Sequence, residues 1–196
     1  MALPSTSKIG AGTPNITVTG GIMVAPLGTA LPTDAEAAPD PAFVPLGYVS
    51  EDGVAPQGER SVNAVKDWNA DIIAQLQTEH SARFQFTLYS VFDADVLKFV
   101  FGAENVTVTA ATATAGTRVH VKETGSVLPH VAFLIDVKHG GKKLRACIAD
   151  GQLTEQTENP WVVGELLGHQ VTLDAFRPAD GVKVHRYYDD GVFAAP

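Results

Sequence analysis

Residues 83–91 read Arg-Phe-Gln-Phe-Thr-Leu-Tyr-Ser-Val, so that Phe84, Phe86 and Leu88 fall on one side of an extended chain and Arg83, Gln85, Thr87 and Tyr89 on the other. A period of two is the signature of a strand that lays one face on a core, whereas a helix repeats every 3.6 residues. The pattern recurs at Val131, Phe133, Ile135 and Val137, and again at Leu144, Ala146 and Ile148, with Lys138, His139, Gly140, Gly141 and Lys142 between the two runs. Gly-Gly between alternating runs supplies the positive φ that a tight turn demands, so residues 131–148 are predicted to form a hairpin. Shorter strands are predicted at 16–24, 106–109, 119–122, 162–167, 170–176 and 182–187, most of them bounded by Gly, Pro or Asp. The Thr-rich run 107–117 reads as two strand ends around a turn at Ala115 and Gly116. The fold class that follows is mainly β.

One helix is well signalled. Asp93 or Asp95 can cap its start, Val96, Leu97, Val100 and Phe101 make an i, i+4 stripe, and Gly102 can close it. It is expected to flank a sheet. Residues 61–68 could make a second short helix through Val62 and Val65, and residues 72–79 could continue that helix or begin a strand. Two stretches resist a compact fold: residues 25–45, rich in Pro, Ala and acid, and residues 50–70, which contain Gly53, Pro56 and Gly58. Loops this long are uncommon inside a compact domain and usually mean function or disorder. Both carry apolar side chains: Phe43, Val44 and Leu46 near the first, Val62, Val65 and Trp68 in the second. Such loops either pack on their own chain or are ordered by docking on another subunit, and both stretches, about 25–45 and 50–70, are expected to be long inter-subunit loops.

A chain of 196 residues, 45% of them hydrophobic, suffices for one core, and a single domain spanning 1–196 is expected, with an N-terminal arm over about 1–15. The formal net charge of -8 argues against a surface that neutralises phosphates. The basic cluster Lys138, Lys142, Lys143 and Arg145 reads as a charged hairpin tip that resists edge-to-edge pairing. Residues 1–9 lack the apolar run of a signal peptide, and no segment reaches membrane-spanning length, so no membrane partner is expected.

Searches for chemistry come back empty. His80, His120, His130, His139, His169 and His185 include no pair at the i, i+2 or i, i+4 spacing of a metal site. The single Cys147 lies in an alternating apolar run and is expected to be buried and inert. There is no Gly-x-Ser-x-Gly elbow, P-loop or complete dinucleotide fingerprint. The carboxylate pairs Glu51/Asp52 and Asp189/Asp190 are sequence neighbours, which on a strand point apart. No enzyme activity, cofactor or metal is expected. A carbohydrate-binding β-sandwich is an alternative, with Trp161, Tyr187 and Tyr188 as its aromatics, although adjacent tyrosines on a strand make a poor shared platform.

Leu46-Gly47-Tyr48-Val49-Ser50-Glu51-Asp52-Gly53-Val54, followed by Glu59-Arg60-Ser61 and Lys66-Asp67-Trp68, resembles the major tail tube proteins of long-tailed, siphovirus-type bacteriophages, in particular those of actinobacterial hosts. The resemblance continues through Gln77-Thr78-Glu79, Phe84-Gln85-Phe86-Thr87-Leu88, the run from Val96 to Gly102, Asn105-Val106, and Gly151-Gln152-Leu153-Thr154-Glu155. It covers residues 46–176.

The resemblance implies an antiparallel β-sandwich or partly rolled barrel with one flanking helix. Six copies would form a ring, and rings would stack into a tube with a channel for DNA passage during genome ejection. It implies a strand at 72–79 paired with 83–91 as a hairpin, and it makes residues 50–70 the loop that bridges subunits and rings, through Glu51, Asp52, Arg60, Val62, Val65 and Trp68. Its partners would be further copies of itself, the tape measure protein, and the tail tip and terminator proteins. Assembly would occur in the host cytoplasm, and the product would be the virion tail. DNA would pass without specific binding, because an acidic channel repels phosphates; Asp71, Glu79 and Asp174, on or beside strands, are the candidates to face it. A tail terminator or joining ring protein is the alternative in the same setting.

Overall fold

The computed structural model describes residues 9–15 and 21–193. The expected arm over 1–15 therefore falls mostly outside the described residues, as does the start of the strand expected from residue 16. The hairpin at 131–148 is formed: β9 (Val131–His139) pairs antiparallel with β10 (Lys142–Glu158), closing at His139 opposite Lys142. Gly140 takes a φ of 63°, the left-handed value that a two-residue turn requires.

Around this hairpin the strands run β2 (Val44–Pro45), β1 (Ile22–Pro26), β9, β10, β11 (His169–Ala175), β6 (Arg83–Leu88) and β3 (Val49–Gln57), with β12 (His185–Asp189) also on β10. Every pairing is antiparallel. The two ends of this path, β2 and β3, are joined by Leu46, Gly47 and Tyr48 alone. Three residues span at most about 13 Å, so the sheet has to curl until its edges approach each other. It is partly rolled but not closed, in keeping with the expected mainly-β, single-helix class. The connection is tight at Gly47, where φ is 74° and a Cβ would come within 2.2 Å of Ser90 Oγ.

Inside the curl lies the main core: Ile22, Leu46, Phe84, Phe86, Leu88, Phe133, Ile135, Ile148, Val171 and Leu173. The helix α1 (Ala94–Phe101) packs on it through Val96 and Val100, and Phe99 stacks on Phe133 with ring centroids 5.9 Å apart. Asp93 is the cap that forms, its Oδ1 accepting from Asp95 N at 2.9 Å, and Gly102 ends the helix at a φ of 89°. Behind α1, the Thr-rich run makes a small ribbon of β7 (Val106–Thr109) and β8 (Arg118–Val121).

The outer face of the same strands is also covered. Met23, Ala25, Ala132, Leu134 and Cys147 form a second cluster with Phe43, and residues 27–43 lie over it. The stretch 25–45 is therefore packed on its own sheet, the first of the two readings the sequence left open. Burial of Cys147 pushes its thiol pKa up to about 12, which makes it inert at neutral pH.

The covering segment corrects the basic hairpin tip. Arg145 is 1% exposed and Asp136, directly across from it on β9, is 3% exposed. Arg145 Nε and Nη2 donate to Asp136 Oδ1 and Oδ2 at 2.7 and 2.8 Å, and Nη1 donates to the carbonyls of Asp34 and Ala37. Lys143 pairs with Glu36 of the same segment. Arg145 is thus the buried rivet that holds the covering loop.

Other expectations also shift. Residues 162–167 form an exposed turn instead of a strand, and the last strand begins only at His185. Residues 61–68 are not helical: they contribute to β4 (Arg60–Lys66) and the turn after it. The strand at 72–79 exists as β5 (Ile72–His80), but it pairs with β4 and not with β6.

Candidate assembly surface

The pairing of β5 decides the shape of the molecule. Gln57 faces Arg83 in the sheet, and Arg60 faces His80 just outside it, so the register of β3 with β6 carries straight on into β4 with β5. One long hairpin runs from Val49 to Leu88; its inner half is the sheet edge and its outer half a free two-stranded ribbon. The joint is small: Ser81 N donates to Glu59 O at 2.9 Å and Glu59 N to Ser81 Oγ at 3.0 Å, while a side chain at Gly58 would meet Ser81 O at 2.9 Å. Residues 81–82 resemble a turn in sequence but are this in-line joint.

The true turn is Asp67, Trp68, Asn69 and Ala70. Asp67 Oδ1 accepts from the amides of Asn69 and Asp71 at 2.8 and 2.9 Å, and Asp67 N donates to Asp71 O. Ala70 closes it at a φ of 68°, a conformation that costs a side chain about 1 kcal/mol. Ala70→Gly is therefore expected to stabilise the tip by roughly 0.5–1 kcal/mol. Because the ribbon opens independently of the core, the effect should appear as slower amide exchange at Ile73–Gln75 with little change in melting temperature.

Nine residues of β5 make the ribbon about 30 Å long. Neither face is covered: every residue of β5 is exposed, and of β4 only Ser61 and Val65 are half-buried. Yet it is apolar. Val62, Ile72, Ile73 and Leu76 are all more than half exposed, and Trp68 at the tip is 101% exposed. An isolated two-stranded hairpin is at best marginally stable in water, so a ribbon of this composition gains most of its order where something covers it.

The site residues expected from sequence divide accordingly. Arg60, Val62, Val65 and Trp68 all lie on the ribbon or its tip. Glu51 and Asp52 sit in β3, exposed, where pairing with β6 skips between Val49 and Val54. Among the acids, Asp71 adjoins the tip and Glu79 lies near the root, whereas Asp174 is on β11, held by Arg83 Nε at 2.7 Å and by Thr154 Oγ1 at 2.9 Å. Its charge is compensated within the chain. Sequence reasoning missed Ile72, Ile73 and Leu76; the adjacent isoleucines, which put an apolar side chain on each face, were the available signal. A cleft of about 910 Å³ at the ribbon root, lined by His80, Arg177, Lys183 and Arg186, was missed as well.

At the opposite end of the strands lies a second apolar surface. β6 and β11 pair from Arg83 with Asp174 to Leu88 with His169, and beyond that far end come Phe92 and the turn that carries Trp161, Val163 and Leu166, all well exposed. Phe92 and Trp161 border a groove of about 440 Å³ whose lining also includes Phe101, Leu167, Glu123, Glu158 and His169, and Val163 and Leu166 stand on the turn beside it. His169 is buried, its Nδ1 has no hydrogen-bond partner and lies 3.8 Å from Glu158 Oε1, and burial lowers its pKa against the pull of that carboxylate. Below the unfolded value of about 6.5 the unfolded chain takes a proton that the folded chain refuses, so stability falls as pH drops toward the folded pKa. Melting temperatures between pH 7.5 and 5 should fall more steeply for the wild type than for His169→Gln.

Among the described residues no three His, Cys, Asp or Glu side chains are grouped as a metal site. The aromatics of the carbohydrate alternative are not brought together either: Tyr187 packs against the outer core while Tyr188 is exposed.

The family model described as phage tail tube protein matches residues 12–194. The chain belongs to the phage tail tube protein family. That family is structural, not enzymatic, and membership makes the chain a component of a phage tail. No curated protein matches. Among solved structures the chain is similar to the anti-feeding prophage cap (AFP tube terminating cap), with 10% identity over 96% of this chain and 95% of that one and a TM-score of 0.47. It is also similar to a chain of the PVC sheath-tube complex of an extracellular contractile injection system in the extended state, with 11% identity over 94% and 98% and a TM-score of 0.39.

Proposed function

We propose that this tail tube protein assembles with itself into stacked hexameric rings, and that the β4–β5 ribbon makes the contact between copies. The observation that carries this is the ribbon itself: about 30 Å of strand with apolar side chains on both faces and no cover from the described part of its own chain. In the tube, Arg60, Val62, Val65 and Trp68 are interface residues. Glu51 and Asp52 flank the same hairpin where it joins the sheet.

The lumen serves DNA passage during ejection by repulsion. The net charge of -8 supplies the sign, and we take Asp71 and Glu79 as the acids that face it. Asp174, paired with Arg83, contributes less. The tape measure protein and the tail tip and terminator proteins are the remaining partners, and the tube forms in the host cytoplasm.

The test is electron microscopy of the purified protein at rising concentration. Tubes with a central hole and six-fold end views are the expected result. A protein that stays monomeric at every concentration overturns the reading, and rings that never stack reassign it to a terminator.

A further inference from the structure

We propose that the ribbon tip of one copy seats in the Phe92–Trp161 groove of a copy in the adjacent ring. This rests on the tube-subunit reading above and adds to it the receiving site.

The first argument is position. The ribbon leaves the sheet at the Arg83 end of β6, and the groove lies beyond the Leu88 end of the same strand. A copy cannot fill its own groove, because its ribbon extends the strands in the other direction. Two complementary surfaces at opposite ends of a molecule make a heterologous, head-to-tail contact, the kind that repeats into an open stack.

The second argument is chemistry. The chain has two tryptophans, one at each pole: Trp68 at the ribbon tip, 101% exposed, and Trp161 at the groove rim, 79% exposed. Tryptophan is the side chain most enriched among residues that dominate interfaces. Covering Trp68, Ile72, Ile73 and Leu76 against Phe92, Trp161, Val163 and Leu166 removes on the order of 1,000 Å² from water over both partners, which reaches the size of a specific interface. One charge pair can form across the contact. Lys66 stands beside the tip, while Glu123 and Glu158 line the groove. Two acids flank the same tip, Asp67, whose carboxylate accepts from the amides of its own turn, and Asp71 just before β5, so charge does not choose the partner and the apolar match carries the contact.

The experiment mixes two full-length variants, Asn69→Cys and Pro160→Cys, which place a thiol beside each tryptophan at an exposed position and keep both tryptophans, lets them co-assemble, and adds a short bifunctional thiol reagent. Native Cys147 is buried and stays silent. A covalent dimer joining position 69 to position 160 is expected in assembled tubes, and neither variant alone should give it. In parallel, the exposed substitutions Phe92→Asp and Trp161→Asp should leave the circular dichroism and melting curve unchanged while shortening tubes at least tenfold toward single rings. Tryptophan emission of the wild type should shift to the blue on assembly. Tubes of normal length from both aspartate variants, without a 69–160 product, overturn the inference and leave the tube reading intact. Failure of the wild type to stack removes the inference, and failure to associate at all removes the tube reading with it.

Discussion

Arg145→Ala is expected to cost about 3–5 kcal/mol of folding stability, the usual consequence of stranding one member of a buried ion pair. The loss exceeds the value of the two bonds to Asp136, because the carboxylate stays 3% exposed with its cation gone. It also frees the carbonyls of Asp34 and Ala37, so the 27–43 segment loses its anchor on the outer face of the sheet. For a chain of this size the melting temperature should drop by about 10 °C or more. A second readout separates the rivet from general damage: Cys147, beneath Pro32 of that segment, should become reactive to thiol reagents before the chain unfolds. The double variant Arg145→Met/Asp136→Leu removes both charges and should recover much of the loss. If Arg145→Ala alone melts within a few degrees of the wild type, the pair is not the anchor described.

Arg145 also shows where a sequence stops being informative. Its alternation with Ala146 and Cys147 placed it correctly on the side of β10 opposite the main core. Nothing local said that this side is covered too, because its partners Asp34 and Ala37 lie more than 100 positions away. The curled sheet has two buried faces along β9, and one-sided alternation describes only one. Strands with Phe or Ile at every second position, the helix with its Asp93 cap and Gly102 stop, and the Gly140 turn were legible because each is fixed by neighbours in sequence. The assembly surface was half legible. Val62, Val65 and Trp68 stood out as apolar residues in a segment too long for a free loop, but the segment is strand, not loop. Ser81-Ala82 imitates a turn, whereas Asp67 makes the real one through its carboxylate, and choosing between them fixes whether β5 folds back on β6 or runs on from it. The groove at Trp161 was out of reach, since it is built from the helix start, β8, the end of β10 and the turn before β11, which only the fold brings together.

Excision of the ribbon should abolish assembly while sparing the fold. Gln57 and Arg83 are directly paired, so replacing residues 58–82 by Asn-Gly closes β3 and β6 with a two-residue turn in the existing register. None of the fully buried core residues is removed; Ala82, which packs at its edge, and the bond from Ala175 N to Ala82 O are lost, a cost of about 1 kcal/mol. The shortened protein should therefore melt within a few degrees of the parent yet sediment as a species that forms no tubes at any concentration. It keeps the groove but has no tip to offer. Added in small proportion to wild-type subunits, it should accept a ribbon from one side and present none to the next ring, so that it ends growing tubes and shortens them in proportion to its share. Full-length tubes from the excised chain alone would show that the ribbon is not what joins the copies. A poison that shortens tubes only when the groove residues Phe92 and Trp161 are intact would place the two halves of the contact on opposite ends of one subunit.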